Sequence, residues 1–264
     1  MLTLVPLALT LVFQPHEMAP QAASEDGHEV RPQAGRVMMG SNGEVGDQIQ
    51  RIVPPTGEDI TSRPGREGLL YNAGDVSTDT KLPVGYPRPT PPGAIEIKTY
   101  PSIRQAEYSG SGDGTGAGRN GFMPLFQHIS TNDIAMTAPV EMRYTDTDGD
   151  ATTDRWTMAF LYHTPENGPV GSDGDVVILD TEPVTVVSIG IQGGASLDSD
   201  GGDPLRTLEA WLEASTEWER AGDTRRLGYN GPYVPVRNRW WELQIPIKPT
   251  GSAEQAEDAE SETI

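Results

Sequence analysis

The chain has 264 residues, 35% of them hydrophobic, with 30 glycines and 23 prolines: length for one domain with extensions or two small ones, and much of it in turns. Its formal net charge of −20 argues against nucleic acid, whose phosphates need cations in place of their counterions, and against an anionic membrane surface. It has no cysteine, which excludes disulfides and thiolate metal sites.

Leu2 to Phe13 is an apolar run too short to cross a bilayer. It suits the apolar region of a signal peptide with a small-residue exit near Ala22-Ala23, so residues 1–23 are expected to direct export to the periplasm or outside the cell. No Lys or Arg precedes the run and Pro6 interrupts it; without a signal the chain stays cytoplasmic. Residues 24–92 are rich in Pro, Gly, Asp and Ser and have no sustained apolar period. They read as a largely irregular extension, loosely draped, ending in the proline-stiffened linker "YPRPTPP" at 86–92. Residues 250–264 form an acidic tail without a base and read as a disordered end.

Residues 93–249 have a different pattern. "AIEIKTY" and "SIRQAEY" alternate as paired strands around Pro101. In "GFMPLFQHI" the residues Phe122, Leu125, Phe126 and Ile129 fall at the spacing of one helical stripe, with Pro124 expected in the first turn. "IAMTAPVEMRY" and "RWTMAFLYH" read as a hairpin across an Asp-rich turn. The order then repeats: "VVILDTEPVTVVSIGI" is two strands around Thr181-Glu-Pro183, mirroring Thr99-Tyr-Pro101. "DPLRTLEAWLEASTEWERAG" predicts a helix capped by Asp203, with Pro204 in its first position and Gly222 closing it. Its apolar face would be Leu205, Leu208, Trp211, Leu212 and Trp218; "RRLGYNG" and "RWWELQIPI" are the last strands. Strand–strand–helix–strand–strand, twice, predicts an α+β domain: a pseudo-twofold pair of units giving eight mainly antiparallel strands with two helices packed outside, and a groove beside each helix.

The stretches "GFMPLFQHIS…NDIAMTAPVEM", "MAFLY", "PVTVVSIGIQGG" and "YNGPYVPVRNRWWELQIPI" resemble, in order and spacing, the SOUL/heme-binding protein family over roughly residues 93–248. The resemblance implies a distorted eight-stranded β-barrel or curved sheet with two helices. It also implies non-covalent binding of heme or another tetrapyrrole, as carrier, buffer or sensor, in an apolar cleft bounded by the first helix and the loop before the last strand. Two other readings stand beside it: an enzyme acting on a small hydrophobic molecule in the same groove, and an interaction module that keeps the fold without the ligand. No nucleophile motif or histidine pair at metal spacing is present, though Glu141 and Glu242 are within the reach of a groove.

Candidate contacts follow from that cleft. On the helix they are Phe122, Leu125, Phe126 and Ile129, each equally readable as core, and His128, either a surface histidine or an iron ligand. Met136, in the signature Met136-Thr137-Ala138-Pro139, reads as core or as ligand contact; Pro139 belongs at a sheet edge or bulge. In the loop, Tyr229, Tyr233, Val234 and Pro235 form an apolar wall. Arg237 and Arg239 would either meet anionic propionates or pair with helix carboxylates. His163 reads as a loop residue, and His16 and His28 lie in the N-terminal segment. Asp146, Asp148, Asp150 and Asp154 resemble a calcium loop in composition. Gly149 stands at the fourth position and no glutamate closes the loop, so a solvated turn is the other reading.

Overall fold

A computed structural model describes residues 48–112, 116–145, 155–194 and 202–251. The signal-like run, the Asp146–Asp154 loop and the acidic tail after Gly251 lie outside the described residues, as does the Asp203 side chain. In chain order the elements are β1 (Ile49–Val53), β2 (Thr61–Pro64), β3 (Leu69–Ala73), β4 (Val76–Ser77), β5 (Ile95–Tyr100) and β6 (Arg104–Ser111). Helix α1 (Ala117–Thr131) leads to β7 (Val140–Thr145), β8 (Arg155–Leu161), β9 (Gly171–Asp173), β10 (Val176–Asp180) and β11 (Val184–Gln192). Helix α2 (Gly202–Glu213) is followed by β12 (Trp218–Arg220), β13 (Arg225–Gly228) and β14 (Trp240–Pro249). Among the described residues, no helix is long and apolar enough to cross a membrane.

Eleven strands form one sheet in the order β1-β5-β11-β14-β13-β7-β8-β6-β10-β9, with β12 beside β14. The order of its eight inner strands is palindromic. If β5, β6, β7 and β8 correspond to β10, β11, β13 and β14, each half contributes three neighbouring strands and lends its first strand to the other half. The prolines of the two Thr-x-Pro breaks, Pro101 and Pro183, fall at equivalent points, between β5 and β6 and between β10 and β11. All strand pairings in the sheet are antiparallel. The path is open, ending at β1 and β9, so the α+β fold with two helices is built on a large antiparallel sheet of eleven strands and not on an eight-stranded barrel. The added strands β1 and β9 extend the sheet at its two edges, and β12 pairs with the last residues of the central strand β14.

Each helix covers one half of the same face. Leu125 and Ile129 of α1 pack with Ala106, Met142, Trp156, Met158, Phe160 and Ile178. Leu208 of α2, with Leu205, Trp211 and Leu212, packs on Ile95, Ile97, Val187, Ile189, Leu243 and Ile245. Gly121 lets α1 lie close to the sheet, since a Cβ there would come within 2.9 Å of the Trp156 ring. The helix starts at Ala117, so Pro124 sits in its middle, not in the first turn, and has no N–H to donate to the carbonyl four residues back.

Helix α2 is shorter than expected. It ends at Glu213, and the Ser215 hydroxyl accepts the N–H groups of Glu217 and Trp218 at 3.3 and 3.1 Å. Trp218 reaches the same apolar cluster from strand β12, so a residue that fits the helical stripe is delivered by a strand and Gly222 does not close the helix. "IAMTAPVEMRY" is a strand only from Val140; Met136 to Pro139 form the irregular entry to β7 and include a cis Ala138-Pro139 bond.

Residues 48–92 pack more closely than a draped extension. Strand β1 pairs with β5, and β2, β3 and β4 form a small sheet of their own. Ala73, Val76, Leu82 and Tyr86 are buried with Tyr100, Leu161, Leu227 and Trp240 on the face away from the helices. Far from being a free linker, "YPRPTPP" has Tyr86, Pro87, Pro89, Thr90 and Pro91 buried. Its apolar residues are separated by turns and prolines, which is why no period announces them.

Candidate functional site

The helical stripe divides into core and rim. Leu125 and Ile129 are buried, whereas Phe122 is partly buried and Phe126 is 44% exposed. Phe122 stacks on Phe126 with centroids 5.7 Å apart and meets Phe160 edge-on at 5.2 Å. Met123, not picked out by the stripe, is exposed beside them. The result is an apolar, aromatic rim on the outer side of α1. Met136 is partly buried against the α1 cluster.

His128 is buried and engaged at both ring nitrogens. Nδ1 lies 2.7 Å from Asp173 Oδ2 and Nε2 lies 2.7 Å from the Tyr162 hydroxyl. The His128 bond holds the exposed Asp173 carboxyl below its ordinary value, and burial pushes the Tyr162 hydroxyl up to about 12. A histidine held this way pins α1 to the end of β8 and the β9 edge. His163 directs Nδ1 to the Leu82 carbonyl at 3.1 Å.

The loop residues do not form one wall. Tyr229 is buried on the sheet face opposite α1, where its hydroxyl donates to Glu242 at 2.6 Å. Tyr233 is 77% exposed, Val234 is half-buried and Arg237 is exposed. Arg239 donates to the carbonyls of Val234 and Pro232, both at 2.9 Å, bracing its own loop. Between the loop and the Met136–Ala138 entry runs the extension. Asn230 Nδ2 and the Gly231 N–H donate to Asp79 at 2.8 and 2.7 Å, the Thr80 hydroxyl donates to the Met136 carbonyl at 3.3 Å, and the Ala138 N–H donates to the Lys81 carbonyl at 2.9 Å.

Beneath the extension, the second sheet face carries a buried polar network. Glu242 accepts bonds from Lys98 Nζ at 3.0 Å, Ser188 at 2.6 Å, the Thr90 N–H at 2.7 Å and Gln244 at 2.7 Å, besides Tyr229. Burial alone would raise its pKa, but the Lys98 charge and the Ser188, Tyr229 and Thr90 bonds outweigh it and hold Glu242 down at about 2. Burial lowers the value of Lys98 and raises that of Tyr229. Farther along, Arg225 lies over the Tyr100 ring and bonds Gln244 at 2.7 Å and Glu141 at 3.3 Å, and Arg143 reaches Glu107. At the other end Glu96 accepts from Arg51 and Arg88. Of this network, Glu141, Glu242 and Tyr229 are the members that the sequence places near a groove. Charged residues alternating with isoleucine in "AIEIKTY" were the signal for Glu96 and Lys98.

A depression of about 350 Å³ at the end of α2 is lined by Glu209, Leu212, Glu213, Trp218, Glu219 and Arg220, away from these walls. Arg220 pairs there with Glu209, and Glu219 with Lys248. Among the described residues, no three His, Asp or Glu side chains are grouped to hold a metal ion.

No curated protein matches the chain. Among solved structures it is similar to the EcmrR C-terminal domain, at 15% identity over 58% of this chain and 96% of that one, with a TM-score of 0.48. It is also similar to a hydrolase from Listeria innocua, at 12% identity over 61% of this chain and 94% of that one, with a TM-score of 0.45. Both are too distant to bear on function. The model of the SOUL heme-binding protein family matches residues 88–246, well over half of the chain, and the chain belongs to that family.

Proposed function

We propose that this chain binds heme or a related tetrapyrrole non-covalently, as a carrier, buffer or sensor. Membership of the family is the observation that carries the reading. The residues fit the macrocycle better than its iron. Stacked Phe122 and Phe126, with Met123 beside them, offer an exposed apolar surface of the kind a flat ring covers. Exposed Arg237 supplies positive charge for a propionate in a chain of net charge −20. His128 has both nitrogens committed, so on this reading apolar contact, and not a bond from His128 to iron, holds the ligand.

Titration with hemin, followed through the Soret band, tests the reading. The intact chain should show a saturable shift, and Phe126→Asp should weaken binding at least tenfold while leaving the fold intact, because Phe126 is largely outside the core. No shift in the intact chain would reject tetrapyrrole binding, and unchanged affinity in Phe126→Asp would reject this rim as its site.

A further inference from the structure

A row of polar side chains crosses the sheet face opposite the helices, from beneath the extension out to solvent. In register from β14 to β6 it runs Gln244, Arg225, Arg143, Thr157 and Ser109. Gln244 and Arg225 are buried, Arg143 and Thr157 half-buried, and Ser109 exposed. Arg225 and Arg143 thus stand directly opposite each other on neighbouring strands, where like charges repel. Glu141 is shared by both, but its contacts are long for charge-assisted bonds: 3.3 Å to Arg225 Nη1 and 3.4 Å to Arg143 Nε. Glu107 engages Arg143 alone of the two. Three donors here remain unmatched: Arg225 Nη2, Arg143 Nε and the Tyr86 hydroxyl are buried with no hydrogen-bond partner. Tyr86 and Arg225, 5% and 9% exposed, meet on one ring, the Tyr86 centroid 4.7 Å and the Arg225 Cζ 4.8 Å from the Tyr100 centroid. Burial pushes the Tyr86 hydroxyl well above its ordinary value, so it keeps its proton.

A buried donor left without an acceptor is costly, and three of them beside a cross-strand arginine pair form a set that only acceptors complete. We propose that Tyr86, Arg143 and Arg225 form a binding site for a small carboxylate, entered from the half-buried Arg143 side of the row. An ionised carboxylate offers acceptors and no donor, so it matches two guanidiniums and a phenol. Its charge also relieves the repulsion between the arginines, which Glu141 offsets through long contacts only. The extension supplies Tyr86, so the site is completed by a segment before residue 88, where the family match begins. It lies on the opposite sheet face from Phe122 and Phe126 and is independent of the tetrapyrrole reading.

The experiment follows thermal unfolding of the full-length chain near neutral pH while sodium acetate replaces sodium chloride at constant ionic strength. The midpoint should rise saturably with acetate, as it does for a ligand that binds only the folded chain. Tyr86→Phe keeps the ring on Tyr100 and removes only the unmatched hydroxyl. In chloride it should unfold at the parent's temperature or above, yet its affinity for acetate should fall about tenfold. Arg143→Lys keeps the charge but loses the planar Nε donor, and should weaken acetate binding by a similar factor. No rise in the parent would show that water alone serves these donors and would overturn the site. An undiminished acetate response in both variants would overturn its location, and destabilisation of Tyr86→Phe in chloride would show that the hydroxyl already has a partner.

Discussion

The same strands present two chemically different faces, and the difference follows from what covers each. Toward the helices, β5, β11 and β14 direct Ile95, Ile97, Val187, Ile189, Leu243 and Ile245; away from them, Glu96, Lys98, Ser188, Glu242 and Gln244. Period-two alternation makes both sets from one stretch of chain. A helix satisfies its own backbone and needs only apolar partners. The extension at residues 88–92 has no regular structure, so its buried peptide groups need donors and acceptors from elsewhere. The polar face provides them: Lys98 Nζ donates to the Arg88 carbonyl at 2.7 Å, Trp240 Nε1 to the Thr90 carbonyl at 2.8 Å, and the Thr90 N–H to Glu242. Buried charge on this face is thus the counterpart of an irregular cover.

The most damaging way to break that arrangement is to remove its central acceptor. Glu242→Ala leaves Lys98 buried without its countercharge and frees the bonds of Ser188, Tyr229 and Thr90. The expected loss, read by urea denaturation, is about 3–5 kcal/mol. A loss below about 1 kcal/mol would mean that the face hydrates readily and the network does not hold the cover.

Acid attacks the same point. The folded value of Glu242, about 2, lies below its ordinary 4.5, so its contribution is fully present above that ordinary value and disappears as pH falls toward 2. A shift of this size corresponds to on the order of 3 kcal/mol. Asp59 is also held at about 2, by Arg51, but it is more than half exposed and solvent screening makes its share small. Stability measured between pH 5 and pH 2.5 should therefore fall less in Glu242→Gln than in the parent chain. Parallel curves would assign the acid sensitivity elsewhere.

How much of this was legible differs between the two faces. The isoleucines of "AIEIKTY" and the alternation in "WWELQIPI" point to strands, and the two Thr-x-Pro breaks disclose the duplicated order that the palindromic sheet carries out. Trp218 misled the helix boundary because a bulky apolar residue fits a stripe or a strand equally well. The partners of Glu242 come from positions 90, 98, 188, 229 and 244, gathered by topology alone. The cover was hidden because its anchors Val76, Leu82 and Tyr86 keep no period, and periodicity speaks only for regular structure.

A milder perturbation tests the fit of the cover. At Gly190, beside Ser188 on β11, the Pro-rich backbone lies directly on the sheet: a Cβ would come within 2.2 Å of the Pro91 carbonyl oxygen and 2.3 Å of the Thr90 one. Gly190→Ala must push that backbone away, at an expected 1–3 kcal/mol for overpacking. Hydrogen exchange should quicken at the amides of Thr90, Gly93 and Ala94 before it does in α1. Unchanged exchange would mean that the segment rests on the sheet without being fitted to it.

The smallest effect comes from a second lysine–glutamate pair with the same chemistry. Lys98 and Glu242 stand 3.0 Å apart with both side chains fully buried; Lys248 and Glu219 stand 3.1 Å apart with side chains 42% and 41% exposed. The second pair is directly cross-strand, between β14 and β12, so distance and register are both favourable. Water nonetheless solvates each partner when the other is removed, and salt screens what attraction remains. Lys248→Met should change stability by no more than about 0.5 kcal/mol, and less still in high salt. Lys98→Met, which strands Glu242 without its countercharge, should cost several times more. Similar losses from the two substitutions would show that pair geometry, and not burial under the extension, sets the energetics of the polar face.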